Sequence, residues 1–138
     1  MKLIDSSCWV DYYRPDGDSR IQAAVAEAIE ADEAATCGMI RIEILGYIAR
    51  RAEYDAVSKD FSGMHDLPLT HREFDTAVEI GRALRAKGAS VPATDLLIAA
   101  AAINNHALLL HCDRHFLTIG KHSGLKQQPV GDRESNVS

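Results

Sequence analysis

No stretch of about 18 consecutive apolar residues occurs anywhere in the chain, so no segment of it reads as a membrane span. The opening Met1-Lys2-Leu3-Ile4-Asp5 carries an acid where a secretory leader needs an unbroken apolar stretch, which argues against export. Cysteine is sparse. Cys8, Cys37 and Cys112 are odd in number, have no CxxC spacing, and each lies in or beside an apolar segment. Buried thiols in a reducing cytoplasm are the expectation, not a disulfide framework or a zinc knuckle. Positive charge is also short: 15 Lys and Arg stand against 20 Asp and Glu, a formal net charge of −5. Nucleic-acid binders usually carry a basic surface, so charge taken alone weighs against such a partner. That weight falls if several acids converge on a bound cation, which reverses the local field. Repeats and linkers are absent too. The 138 residues, 46% of them apolar, are enough for one domain with a real core.

What is present alternates between strand and helix patterns. Lys2-Leu3-Ile4 is a short apolar run, and Ser6-Ser7 can cap a helix through Tyr13 that Pro15-Asp16-Gly17 breaks. Ile21, Ala24, Val25, Ala28 and Ile29 fall at amphipathic helical spacing. Ala34 to Cys37 is a second strand, and Gly38 opens a helix to about Arg50, with Tyr54, Val57 and Phe61 continuing the helical spacing. His65 to Leu69 is a short strand that Pro68 assigns to an edge or an end. Thr70 and Glu73 form a capping box for a helix with Phe74, Ala77, Val78, Gly81 and Leu84 facing inward. Thr94 to Asn104 is apolar nearly all round, a buried helix, and Ala107 to Cys112 reads as a central parallel strand. From Gln127 the sequence turns polar and reads as loose. The expectation is an α/β domain over residues 1–128, followed by a polar, flexible tail at 129–138.

Four acids stand out by position. Asp5 ends the first strand and Asp113 follows the last strong one, and the carboxyl ends of parallel strands share one crevice. Asp95 opens the apolar helix after Pro92-Ala93-Thr94, which should start at the same edge. Glu43 lies among Met39, Ile40, Ile42, Ile44 and Leu45, where a carboxylate costs several kcal/mol without a partner. Each has a plainer reading: Asp5 and Asp113 as loop acids, Asp95 as a helix N-terminal acid, Glu43 paired with Arg41 or Arg50 on the helix surface. Their joint placement on one edge, without a neighbouring Lys or Arg, favours convergence. Two carboxylates about 5 Å apart repel by roughly 3 kcal/mol at an effective dielectric of ~20, so four together need a cation. Hard oxygen ligands suit magnesium or manganese.

LIDSSCWVDYYR, IRIEILGYIA, PATDLLIAAAA and LLLHCDRHF, in that order from residue 2 to about 126, resemble the PIN domain, and within it the VapC-type toxins of bacterial toxin–antitoxin pairs. The resemblance implies a three-layer α/β/α sandwich with a short, mainly parallel sheet, a homodimer, and a magnesium-dependent endoribonuclease, with manganese as the other candidate ion. It implies catalytic and metal-binding roles for Asp5, Glu43, Asp95 and Asp113, and matches Ser6 to a supporting hydroxyl. Some relatives carry a further acid two residues after the last one; this chain has His115 there, which would weaken a second metal and either meets a phosphate oxygen or packs beside Phe116. Arg14, Arg41 and Arg114 are candidate phosphate contacts. The substrate would be RNA, single-stranded loops before duplex, whose base edges are hidden.

The resemblance also implies a small antitoxin as partner, with DNA reached only through it. A groove at Met39–Ile48 and Tyr54–Phe61 is its expected seat, and an antitoxin Arg or Lys would meet Glu43 or Asp113. The alternatives are a catalytically silent PIN-fold subunit that holds an antitoxin on DNA, a zinc site from His111, Cys112 and His115, and a phosphoacceptor domain. Against the last stands the lack of a lysine after a late strand.

Overall fold

Alternating strand and helix segments of this length fold as parallel β–α–β units, and that is the architecture of the computed structural model, which describes residues 1–131. In chain order the elements are β1 (Lys2–Ile4), α1 (Ser6–Tyr13), α2 (Ser19–Glu30), β2 (Ala34–Cys37), α3 (Gly38–Leu45), α4 (Arg51–Ser62), β3 (His65–Leu67), α5 (His71–Ala86), α6 (Ala93–Asn104), β4 (Leu108–His111), α7 (Arg114–Gly120) and β5 (Gln127–Pro129). The sheet runs β3-β2-β1-β4-β5 with every pairing parallel, within an α/β/α sandwich. β1 pairs with β2 on one side and β4 on the other, so the direction of winding reverses beside β1. In such sheets the crevice at the strands' carboxyl ends opens at that reversal.

The core follows from the apolar runs. Leu3, Ile4, Leu109 and Leu110 on the two central strands are fully buried, as are Ala99 to Ala102 on α6. Small residues on α6 let neighbouring elements approach its backbone closely. Trp9 on α1 packs its ring 4.9 Å from that of Phe61 on α4, and its indole N–H donates to the Ile4 carbonyl at 3.1 Å. Burying an aromatic or Leu side chain of this kind contributes about 1.5–3 kcal/mol. All three cysteines are buried thiols. Among the described residues no helix is long and apolar enough to cross a membrane.

Several elements depart from the sequence expectation. Asp5, not Ser6 or Ser7, caps α1, accepting the Ser7 N–H. α3 stops at Leu45 because the chain folds in so tightly at Gly46 that a Cβ there would lie 2.4 Å from the Ile42 carbonyl oxygen. β3 ends before Pro68, at the sheet edge. On α5 the buried face is Glu73, Ala77, Ile80 and Leu84, while Phe74 and Val78 are exposed. The helix turns that way because Glu73 is held inside, by the Thr70 backbone and hydroxyl and by the Asn104 amide. α7 has no counterpart in the sequence expectation; Asp113 caps it, and Phe116 and Ile119 anchor it. β5 replaces the loose segment expected from Gln127. Its polar residues join the sheet because Leu109 N–H donates to Lys126 and Val130 N–H donates to His111. Of the tail expected at 129–138, residues 132–138 lie outside the described residues.

Candidate metal centre

β1 and β4 are adjacent and in register, so the residues that follow them leave the sheet side by side. Asp5 is the first residue after β1 and donates its backbone N–H to Leu110 on β4. Asp113 follows β4 and begins α7. Both act as helix caps, which fixes their backbones: Asp5 Oδ2 accepts the Ser7 N–H at 3.1 Å, and Asp113 Oδ1 accepts the His115 N–H at 2.9 Å. Asp95 enters from the first turn of α6 and is buried. Glu43 reaches in from α3, half-buried, with Oε1 accepting the Ser6 hydroxyl at 3.2 Å. The four acids predicted from position are therefore electrostatic neighbours at the reversal point beside β1, although Asp5 and Glu43 stand outside the tight group that Asp95 and Asp113 form with His115.

The field there is negative. Burial raises the Asp5 carboxyl, offset in part by the Ser7 hydroxyl and amide, and nearby Asp113 raises it further. Burial raises Glu43, and Asp5 adds to it. Asp95 is pushed up to about 6 by burial first and then by Asp113 and Asp5. Among the described residues no lysine or arginine forms an ion pair with any of the four. The basic group beside them is His115, whose Nδ1 lies 3.0 Å from Asp95 Oδ2 and 3.2 Å from Asp113 Oδ1. Carboxylates that raise one another's affinity for protons raise affinity for a divalent cation by the same electrostatics. One oxygen each from Asp95 and Asp113, with a ring nitrogen of His115, lie within 4.8 Å of one another. The donor set is hard oxygen with one imidazole and it fits a divalent metal.

Two residues to which sequence reasoning gave other roles, Ser7 as a helix cap and His111 in a zinc site, hold this geometry. Ser7 donates its hydroxyl to Asp5 Oδ2 at 2.6 Å and accepts the Cys112 N–H at 3.1 Å, tying the ends of β1 and β4 together. His111 is buried; its Nδ1 accepts the Asp113 N–H at 3.1 Å, which leaves Nε2 to donate to Gln127 Oε1 at 2.7 Å. With both nitrogens engaged, His111 sets the backbone of Asp113, and burial keeps its ring neutral. His111 and Cys112 do not join His115 in a zinc cluster. The Asx turn in Asp5-Ser6-Ser7 was the available signal for Ser7.

The remaining candidates divide. His115 faces Asp95 and Asp113, so simple packing beside Phe116 does not describe it. Arg114 is exposed on the first turn of α7, at the rim. Arg14 pairs with Asp16 at 3.5 Å and Arg41 with Asp66 at 3.8 Å, both away from the carboxylates.

The PIN domain family matches residues 2–122 of the chain. Ribonuclease VapC18 of Mycobacterium tuberculosis is 30% identical over 117 residues, covering 82% of each chain. Ribonuclease VapC11 of the same organism is 32% identical over 129 residues, covering 91% of this chain and 96% of its own. Among solved structures, the chain is similar to VapBC2 from Rickettsia felis, bound to a DNA fragment from its promoter, with a TM-score of 0.76 at 15% identity over 94% of this chain and 98% of that one.

Proposed function

The chain belongs to the PIN-domain family and, within it, to the VapC proteins, and from that premise we propose that it is a metal-dependent endoribonuclease acting in the cytoplasm as the toxin of a toxin–antitoxin pair. The observation that carries the proposal is the convergence of Asp5, Glu43, Asp95 and Asp113, with no lysine or arginine paired to any of them among the described residues. Magnesium, or manganese, bound there would polarise the scissile phosphate and lower the pKa of a water.

The chain's own groups do the rest. Asp5 and Asp95, the most buried of these four carboxylates, hold the charge in place. Glu43 has Oε1 fixed by Ser6, and its raised proton affinity suits it to orient the attacking water or take its proton. Asp113 presents one oxygen to the same space, and Arg114 on the rim contacts phosphate. Asp16 and Asp66 already engage Arg14 and Arg41, which makes those two the weaker phosphate candidates.

Two apolar surfaces suit the partners. On and after α3, Ile42 is 60% exposed and Tyr47 82%, with Tyr54 of α4 also open. An amphipathic antitoxin helix seated there lies next to Glu43 and delivers an Arg or Lys to the acids, displacing metal or substrate. Separately, a groove of about 330 Å³ between α5 and α6 is lined by Met39, Phe74, Val78, Leu96 and Leu97. It suits a second copy of the chain, because exposed Phe and Val on adjacent turns need a cover.

Single-stranded RNA incubated with metal-stripped protein is the direct test. Cleavage should appear with magnesium, disappear with EDTA, and fail in Asp95→Asn; magnesium-independent cleavage, or full activity in that variant, overturns the reading.

A further inference from the structure

Among the described residues, His115 is the one nitrogen ligand offered to a site of carboxylates, and its position is over-determined. The Asp113 carboxylate caps α7 by accepting the His115 N–H, so one bond fixes both residues. Phe116 and Ile119, both fully buried, pin the helix that carries the ring. The ring nitrogen Nδ1 then stands 3.0 Å from Asp95 Oδ2 and 3.2 Å from Asp113 Oδ1. Cis ligands about 2.1 Å from an octahedral cation stand roughly 3 Å apart, so these separations match two edges of one coordination face, and the third pair of donors lies within 4.8 Å. The His115 side chain is 37% exposed, which leaves a path for ion exchange.

We propose that His115 is itself a metal ligand through Nδ1, completing a face of one imidazole and two carboxylates with Asp95 and Asp113. Nitrogen donors favour first-row transition ions, whereas an all-oxygen set with water suits magnesium. The site therefore prefers manganese over magnesium by a wider margin than the same site with an acid at this position. This inference rests on the metal reading above and deepens it. The competing role is that of a hydrogen-bonding bridge: a His115 ring nitrogen that holds Asp95 and Asp113 together and must be displaced by metal.

Manganese and magnesium titrations of the full chain at pH 7.5, by calorimetry and by pulsed electron paramagnetic resonance of bound manganese, separate these readings. In the native protein bound manganese should show coupling to a ¹⁴N nucleus. In His115→Asp the coupling should vanish, and the manganese-to-magnesium affinity ratio should fall by at least about tenfold, since even groups that only support a ligand are worth 10–100-fold. His115→Ala should weaken manganese binding likewise. No nitrogen coupling in the native protein, an unchanged ratio in His115→Asp, or tighter manganese binding in His115→Ala each overturns the ligand assignment. Asp95→Asn distinguishes the two levels: if it abolishes metal binding while the His115 variants do not alter it, only the imidazole assignment fails. If Asp95→Asn leaves manganese affinity intact, the metal centre itself fails. Circular dichroism of each variant confirms that the fold is retained.

Discussion

Asp95→Asn keeps the shape of a buried side chain and removes its charge, which makes it the sharpest probe of the acidic cluster. The Asp95 carboxyl is raised from 3.8 to about 6 in the folded chain. A raised acid pKa means that the folded state holds the proton more tightly than the unfolded state. Without metal, the ionised group therefore destabilises the fold above pH ~6, by about 3 kcal/mol at about 1.4 kcal/mol per pH unit. The penalty shrinks as pH falls, to about half at pH 5, and is gone near the ordinary value of 3.8. The asparagine variant escapes it, and since the charge-assisted part of the His115 contact is already included in that penalty, it gives up only the difference between two neutral hydrogen bonds, about 0.5–1.5 kcal/mol. At pH 8 the relief outweighs that loss. In EDTA at that pH the variant should melt at or above the wild-type temperature, by up to about 5 °C, and that margin should narrow by pH 5. Metal should reverse the order. Magnesium at about 100 times its dissociation constant should stabilise wild type by about 2.7 kcal/mol and the variant hardly at all. Differential scanning calorimetry at both pH values, with and without magnesium, makes the comparison. A variant less stable than wild type at pH 8 in EDTA, and still responsive to magnesium, would refute the picture of mutually repelling carboxylates.

Ser7→Ala removes the half-buried hydroxyl that joins Asp5 to the Cys112 N–H; chemical denaturation should show a loss of about 1–3 kcal/mol, with cleavage reduced alongside. An unchanged midpoint would mean that the two strand ends do not need this link. Val78→Glu places a charge in the α5–α6 groove and should convert a dimer to a monomer in sedimentation velocity; an unaffected dimer locates the second copy elsewhere. Tyr47→Asp, on the exposed apolar stretch after α3, should weaken antitoxin binding in a co-purification assay by tenfold or more without changing RNA cleavage by the free protein. Equal recovery of antitoxin would move its seat.

The placement of Asp5 and Asp113 was legible because topology alone constrains them: a residue just after a central parallel strand must sit at the shared crevice. Glu43 was legible for the opposite reason, as a charge on an apolar stripe that needed a destination; that destination is Ser6. The phase of α5 was not. Phe74 and Val78 offered a more apolar stripe than the face that is buried, and only the hydrogen bonds from Thr70 and Asn104 make burying Glu73 tolerable. The Asn104 bond joins residues 31 apart in the chain, beyond any local pattern. β5 was missed because nothing in Gln127-Gln128-Pro129 marks a buried strand; backbone pairing and the His111 contact hold it. α7 was hidden by length: at seven residues it offers only Phe116 and Ile119 as a periodic signal.

The charge of the chain, which first weighed against a nucleic-acid substrate, is better understood as part of its control. A net charge of −5, with four of the acids gathered at one crevice, repels a polyanion when the crevice holds no cation. On the proposed function, a divalent cation would reverse the sign at the point where the scissile phosphate must approach, so metal occupancy would govern substrate attraction as well as chemistry. An arginine from an antitoxin would satisfy the same carboxylates with one positive charge instead of two. It would also bring a chain that fills the approach. Metal and inhibitor then compete for one electrostatic deficit, and inhibition should weaken as divalent concentration rises while the apolar contacts around Ile42 and Tyr47 stay constant. The division of labour follows from the physics of each surface. Apolar contacts respond only weakly to millimolar divalent ions and would set how tightly the partner is retained, while the carboxylates would decide whether the retained partner silences the site.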